Sequence, residues 1–139
     1  MIINGSCEIS NLIISNNSGQ YGSAVYDLSS SDVVYDNIHV HSNSGTSIID
    51  IRGGGNKTIK NLLIHDNEGA YSFLLYSINI SFINSTIVGG FSNCYDSNIN
   101  YSNSIIRQHI FYITGTTFNV TNSNLDENVQ NAIDPEMNN

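Results

Sequence analysis

The stretch IKNLLIHDNEGAYSFLLYSI, residues 59–78, holds one full copy of a pattern that recurs along the chain. Counted from Asn61, it has an aliphatic residue at −2 (Ile59), aliphatic residues at +1 and +3 (Leu62, Ile64), Asn67 at +6 and Gly69 at +8. An apolar run, LLYSI at 74–78, follows. Working outward, the same Asn returns at Asn11, Asn37, Asn84, Asn103 and Asn122. Position −2 is always apolar or aromatic (Ile9, Tyr35, Ile59, Phe82, Tyr101, Val120), and +3 is always aliphatic (Ile14, Val40, Ile64, Ile87, Ile106, Leu125). The copies lie 26, 24, 23, 19 and 19 residues apart. An ordered motif at such a period marks a solenoid whose coils differ in loop length.

Parity gives the shape of a coil. Positions −2 and +3 differ by an odd number, so one straight strand would put them on opposite faces. A bend between them keeps both inside, and Asn, which tolerates the left-handed backbone region and bonds locally through its amide, is placed at that bend. The first three copies carry Leu12, Ile38 and Leu62 at +1, whereas the last three carry Ser85, Ser104 and Ser123, which predicts a thinner or partly polar lining there. A second corner is expected at the Asn and Gly of +6 and +8. Third strands are expected at AVYDL (24–28), IIDI (48–51), LLYSI (74–78), NCYDS (93–97) and IFYIT (110–114). Three short strands per coil predict a three-sided parallel β-helix of about six coils, right-handed by the rule for parallel crossovers. Coils stacked ~4.8 Å apart would align the recurrent asparagines into an amide ladder. Residues 1–125 form these coils and 126–139 a closing segment; the stretch after Asn122, with Leu125, Val129 and Ala132, is the best candidate for a helical turn.

Composition narrows the function. Net charge is −8, with only Arg52, Lys57, Lys60 and Arg107 basic. That speaks against nucleic acid and anionic membrane surfaces, which reward clustered Lys and Arg. No apolar run approaches the length of a membrane span, so no membrane insertion is expected, and the start MIINGSCE lacks the pattern of a signal peptide. The chain therefore reads as a mature portion or an excised piece of a larger one. Cys7 and Cys94 fall about three coils apart, ~14 Å at the strand spacing, too far for a disulfide.

The quoted pattern resembles the right-handed parallel β-helix of pectate-lyase-like and polymorphic-outer-membrane-type repeat proteins. INSTIVGG (83–90), YSNSIIRQ (101–108), VTNSNLDE (120–127) and NAIDPEMNN (131–139) are similar, in that order, to the closing coils of bacterial surface β-helix proteins of the choice-of-anchor kind, which end on an Asp-Pro such as Asp134-Pro135. The resemblance implies a secreted or cell-surface location in a bacterium and an adhesin-like or scaffold role.

Three constellations carry candidate chemistry. Aligning VYD, IID, LYS and CYD puts Asp27, Asp50, Ser77 and Asp96 in one column and Tyr26, Ile49, Tyr76, Tyr95 and Tyr112 in the next. With the tyrosines inside, the Asp column faces out, where Asp27, Asp50 and Asp96 would bind a ligand; stacked carboxylates could hold Ca2+ or act as acid and base on a polysaccharide. In the reverse register the tyrosines form an outward stripe suited to sugars, at the cost of burying Asp. Surface carboxylates that merely stay solvated are the commoner case. Second, His39 and His41 face out and His65 stacks on His41 beside Asp66, so His41, His65 and Asp66 form a candidate transition-metal site, weighed against ordinary surface histidines. Third, enzymes on this fold use a basic proton acceptor near carboxylates, for which Asp50 and Arg52 are the pair to test, with Lys57 and Lys60 in the adjoining corner.

The expectation is a non-catalytic structural or adhesin-like module with no cofactor, Ca2+ being the one ion its carboxylates could take. Its partners would be a neighbouring coil or chain over the N-terminal end, and glycans or other surface proteins. Alternatives are a carbohydrate-binding or polysaccharide-degrading domain, marked by the Asp and Tyr columns, and a phage or viral fibre segment, marked by trimerisation.

Overall fold

The computed structural model describes residues 2, 3 and 5–133 and shows a parallel β-solenoid of about five turns, bounded by the six asparagine corners. Asp134-Pro135 lies outside the described residues. Every strand pairing joins one turn to the next in parallel, in a nine-stranded and a seven-stranded sheet.

The nine-stranded sheet carries two sides of the coil. In the upper turns Cys7–Ser15, Val33–His41 and Asn56–His65 each run through the asparagine corner as a single strand. In the lower turns the corresponding run is split, as in Asn79–Ile83 with Thr86–Val88 and Asn98–Ser102 with Ile105–Arg107. The difference follows from the residue after the corner. Ser85 and Ser104 turn inward, and the Ser85 N–H donates to Ser104 Oγ at 3.2 Å while the Ser104 N–H donates to Ser123 Oγ at 3.1 Å. These hydroxyls satisfy backbone donors that would otherwise join the ladder.

All six recurrent asparagines have φ between 48° and 58°. The bend placed at Asn is therefore a left-handed residue in each copy. The amide ladder is interrupted: Asn37 Nδ2 donates to Asn11 Oδ1 at 2.8 Å, but Asn61 Nδ2 turns to Asp36 Oδ1 at 2.7 Å, and the Asn84 to Asn61 contact is 3.4 Å. A continuous ladder lies one corner on. The second corner's left-handed residues are Asn16, Ser42 and Asp66, one position before the expected Asn. Asn17, Asn43 and Asn67 follow them, and Asn43 is fully buried. The amides of Asn17 and Asn43 donate to the Oδ1 of Asn43 and Asn67 at 3.0 Å, and their backbone N–H groups donate to the same atoms at 3.1 and 2.9 Å. Gly45 is required here because a Cβ would lie 1.9 Å from the Gly19 carbonyl oxygen.

Inside, equivalent residues stack. Tyr35, Ile59, Phe82, Tyr101 and Val120 form one column, and Val40, Ile64, Ile87, Ile106 and Leu125 another. Phe82 and Tyr101 stack face to face at 4.9 Å. Glu127–Ile133 forms the expected short helix, with Val129 buried against the strand Ile110–Thr114 and its N–H capped by Asp126 Oδ1 at 3.1 Å. No helix among the described residues is long and apolar enough to cross a membrane.

Candidate functional site

The third side of the coil is built from Val25–Asp27, Ser44–Arg52, Glu68–Tyr76, Phe91–Tyr95 and Ile110–Thr114. Its register overturns the expected columns. Asp27 pairs with Ile51, not Asp50, and Asp50 pairs with Tyr26 and Leu74. Val25, Ile49, Phe73, Ser92 and Phe111 point inward, and so do Asp27, Ile51, Leu75, Cys94 and Ile113. The outward columns are Tyr26, Asp50, Leu74, Asn93 and Tyr112, then Arg52, Tyr76, Tyr95 and Thr114. The tyrosines therefore face out, contrary to the favoured reading. The corner explains the shift: Gly53, Ser77, Asp96 and Gly115 are its left-handed residues, so Asp96 sits in the corner and Arg52 takes the position of Tyr76.

This outward face is a strip of rings. Tyr76 and Tyr95 stack at 4.7 Å with planes 9° apart, and Phe91 and Tyr112 stack at 6.1 Å with planes 16° apart. The Arg52 guanidinium lies 5.0 Å from the Tyr76 ring centroid and 5.6 Å from that of Tyr21, prolonging the strip by cation–π contact. Desolvation first, and the neighbouring Tyr95 second, raise the Tyr76 pKa, which keeps its hydroxyl a neutral donor. Tyr71, Asn93, Tyr95 and Tyr112 help line a shallow trough of about 560 Å3 on the same face.

Asp50 and Arg52 do come together, but as a closed pair. Arg52 Nε donates to Asp50 Oδ1 at 2.7 Å and the guanidinium Nη2 to Oδ2 at 2.8 Å. The hydrogen bond to Asp50 raises the Arg52 pKa further, away from any role as a proton acceptor. Asp50 is buried beneath this fork and offers no open carboxylate. Asp27, Asp50 and Asp96 are not assembled into one site: Asp27 is wholly inside. There it accepts from the Ser29 N–H at 2.8 Å, Ser29 Oγ at 2.7 Å and Tyr35 Oη at 2.8 Å. Lys57, expected in a corner, is also inside; its ammonium lies 3.3 Å from Asp27 Oδ2 and donates to Ser29 O, Ser29 Oγ and Ser31 O at 2.9, 2.9 and 2.6 Å.

On the second side, His41 and His65 stack as expected, at 5.7 Å and 8°. Asp66 does not share a centre with them; its Oδ2 takes His65 Nδ1 at 2.8 Å. His39 joins instead, with its Nε2 2.8 Å from His65 Nε2. Desolvation, then the adjacent imidazoles His41 and His65, push the His39 pKa below the usual range. Among the described residues no group of three His, Cys, Asp or Glu side chains is placed, as it stands, to hold a metal ion. Cys7 is exposed, Cys94 is buried, and both are free. A further buried group is His109, which meets Ser92 Oγ at 2.7 Å and the Gly89 carbonyl at 2.8 Å.

Fold and surface together define a parallel β-solenoid with an aromatic outward strip. No protein-family model, no curated protein and no solved structure matches the chain.

Proposed function

We propose that the chain is a non-catalytic, adhesin-like module of a secreted or surface-displayed bacterial β-helix protein of the pectate-lyase-like kind, and that it binds glycan chains along the third side. The observation that carries this reading is the stacked outward pair Tyr76 and Tyr95, continued by Arg52 and by Phe91 with Tyr112. Sugar rings present C–H-rich faces that pack on aromatic rings, while hydroxyls at their edges seek polar groups such as Asn93 and the phenols. Rings repeated at the coil spacing suit a repeating polymer better than a small compact ligand. The locked Asp50–Arg52 pair favours binding over cleavage. Ile9, Leu12 and Ile14, inward residues of the first turn, are only partly buried, which supports a neighbouring coil or chain as a partner at that end.

The test is a glycan array combined with a polysaccharide-cleavage screen, on the wild type and on Tyr76→Ala/Tyr95→Ala. Two aromatic platforms worth ~1 kcal/mol each predict a loss of affinity of about tenfold or more in the double variant. Binding that survives the double substitution, or no binding by folded protein, would overturn the reading. Cleavage products would transfer the chain to the polysaccharide-degrading class.

A further inference from the structure

We propose that His39, His41 and His65, on the outward second side, form a binding site for a late first-row divalent cation such as Cu2+ or Zn2+. Strand alternation and coil stacking create the cluster. His39 and His41 sit two apart on Val33–His41 and so share a face, and His65 lies beside His41 on the next coil. All three ring centroids lie within 4.6 to 5.7 Å of one another.

The nitrogens are already sorted. Asp66 holds His65 at Nδ1, and Ser42 Oγ lies 3.1 Å from His41 Nδ1, which leaves Nε2 of each ring as the ligand atom. A carboxylate behind a metal-binding imidazole fixes its tautomer and strengthens it as a donor. The 2.8 Å contact between His39 Nε2 and His65 Nε2 requires one proton between the two nitrogens, donated by one ring to the other. A cation would take the place of that proton between the two rings. Bonds of ~2.0–2.1 Å in a tetrahedral site put nitrogens about 3.3 Å apart, so the two rings need part by only about half an ångström. The His41 ring, 4.6 Å from His39 and 5.7 Å from His65 by centroid, is the third donor beside them. Ile13, 73 % exposed, and Leu63, 37 % exposed, flank His39 in its column and give the site an apolar rim. Imidazole without thiolate suits Cu2+, Ni2+ and Zn2+, with Cu2+ tightest, and not Ca2+ or Mg2+.

The test is calorimetric titration of the full chain with CuCl2, ZnCl2 and CaCl2, with electron paramagnetic resonance of the copper form. One Cu2+ per chain with nitrogen couplings from at least two imidazoles is expected, with affinity for Zn2+ lower and for Ca2+ absent. His39→Gln and His65→Gln should each weaken Cu2+ by at least about tenfold, and Asp66→Asn by about tenfold through ring positioning; Glu8→Gln should change nothing. Unchanged Cu2+ affinity in both histidine variants, no saturable binding by the wild type, or copper without imidazole coupling would overturn the proposal. The spectrum of the wild type decides the matter even where a variant fails to fold.

Discussion

The upper and lower halves of the solenoid meet the same corners with different chemistry. At +1 the upper copies place Leu12, Ile38 and Leu62 where the lower ones place Ser85, Ser104 and Ser123. At +6 the upper copies have Asn17, Asn43 and Asn67, and the lower ones have Gly90, His109 and, within the closing helix, Asn128. The upper half thus turns one corner on apolar contact and the next on an amide ladder; the lower half uses hydroxyls, then a buried imidazole. The third corner differs as well. Among the described residues, it is the upper half that encloses a buried charge pair, Lys57 with Asp27, whose ammonium and carboxylate are both hydrogen-bonded. Where the N–H after a left-handed corner takes a side-chain acceptor, that acceptor is Asn43 or Asn67 in the upper half and Ser104 or Ser123 in the lower, whereas the His109 ring meets the Gly89 carbonyl.

The largest effect should come from breaking the upper half's charge pair. Lys57→Met leaves Asp27 buried without its cation and should cost about 3–5 kcal/mol by urea denaturation. Adding Asp27→Leu should recover most of that loss, because a matched apolar pair avoids desolvation. A loss below about 1 kcal/mol in the single variant would mean that the ammonium escapes to water.

The lower half should respond to acid. Burial, as the largest cause, lowers the His109 pKa from 6.5 to about 4. Above pH 6.5 both the folded and unfolded states hold the ring neutral, so no penalty exists. Between pH 6.5 and about 4 the unfolded state takes up a proton that the folded state refuses, and stability falls; below that window the loss levels off. The full difference is ~3 kcal/mol at ~1.36 kcal/mol per unit. Stability against pH for wild type and His109→Gln checks it, the variant losing this slope and keeping that of the carboxylates.

The smallest effect sharpens the corner comparison. Ser104→Ala removes the acceptor for the Ser85 N–H and should cost about 1–2 kcal/mol. Hydrogen exchange at the Ser85 amide should quicken more than at its neighbours.

Much of this was legible in the residues. The Asn repeat placed the first corner correctly because a left-handed residue narrows the choice of side chain. The −2 and +3 positions identified two inner columns because parity is strict within a strand. The closing helix was visible in Val129 and Ala132, while Leu125, expected with them, lies in the strand Asn124–Leu125 and continues an inner column. The third side failed because its alignment was keyed to a repeated Asp, whereas the corner there accepts Gly53, Ser77, Asp96 or Gly115. The triglycine at Gly53–Gly55 lengthens one coil and breaks the apparent phase. Lys57 and His109 were missed although a signal existed. Lys57 is at −4, in phase with Val33, Ile80 and Ile99, and His109 is at +6, in phase with Asn43. A charged or titratable residue reads as exposed until parity is trusted over polarity. The histidine cluster was half legible, since stacking of His41 and His65 follows from spacing but the turn of His39 toward His65 does not.

The central claim is that the aromatic third side binds a glycan chain. The most direct measurement is a two-dimensional NMR titration with the strongest glycan from the array. The account predicts shifts confined to Tyr71, Tyr76, Asn93, Tyr95 and Tyr112, with Ile13 and Ile105 on the second side unmoved. Shifts centred on the second side or the corners, with the third side silent, would contradict it.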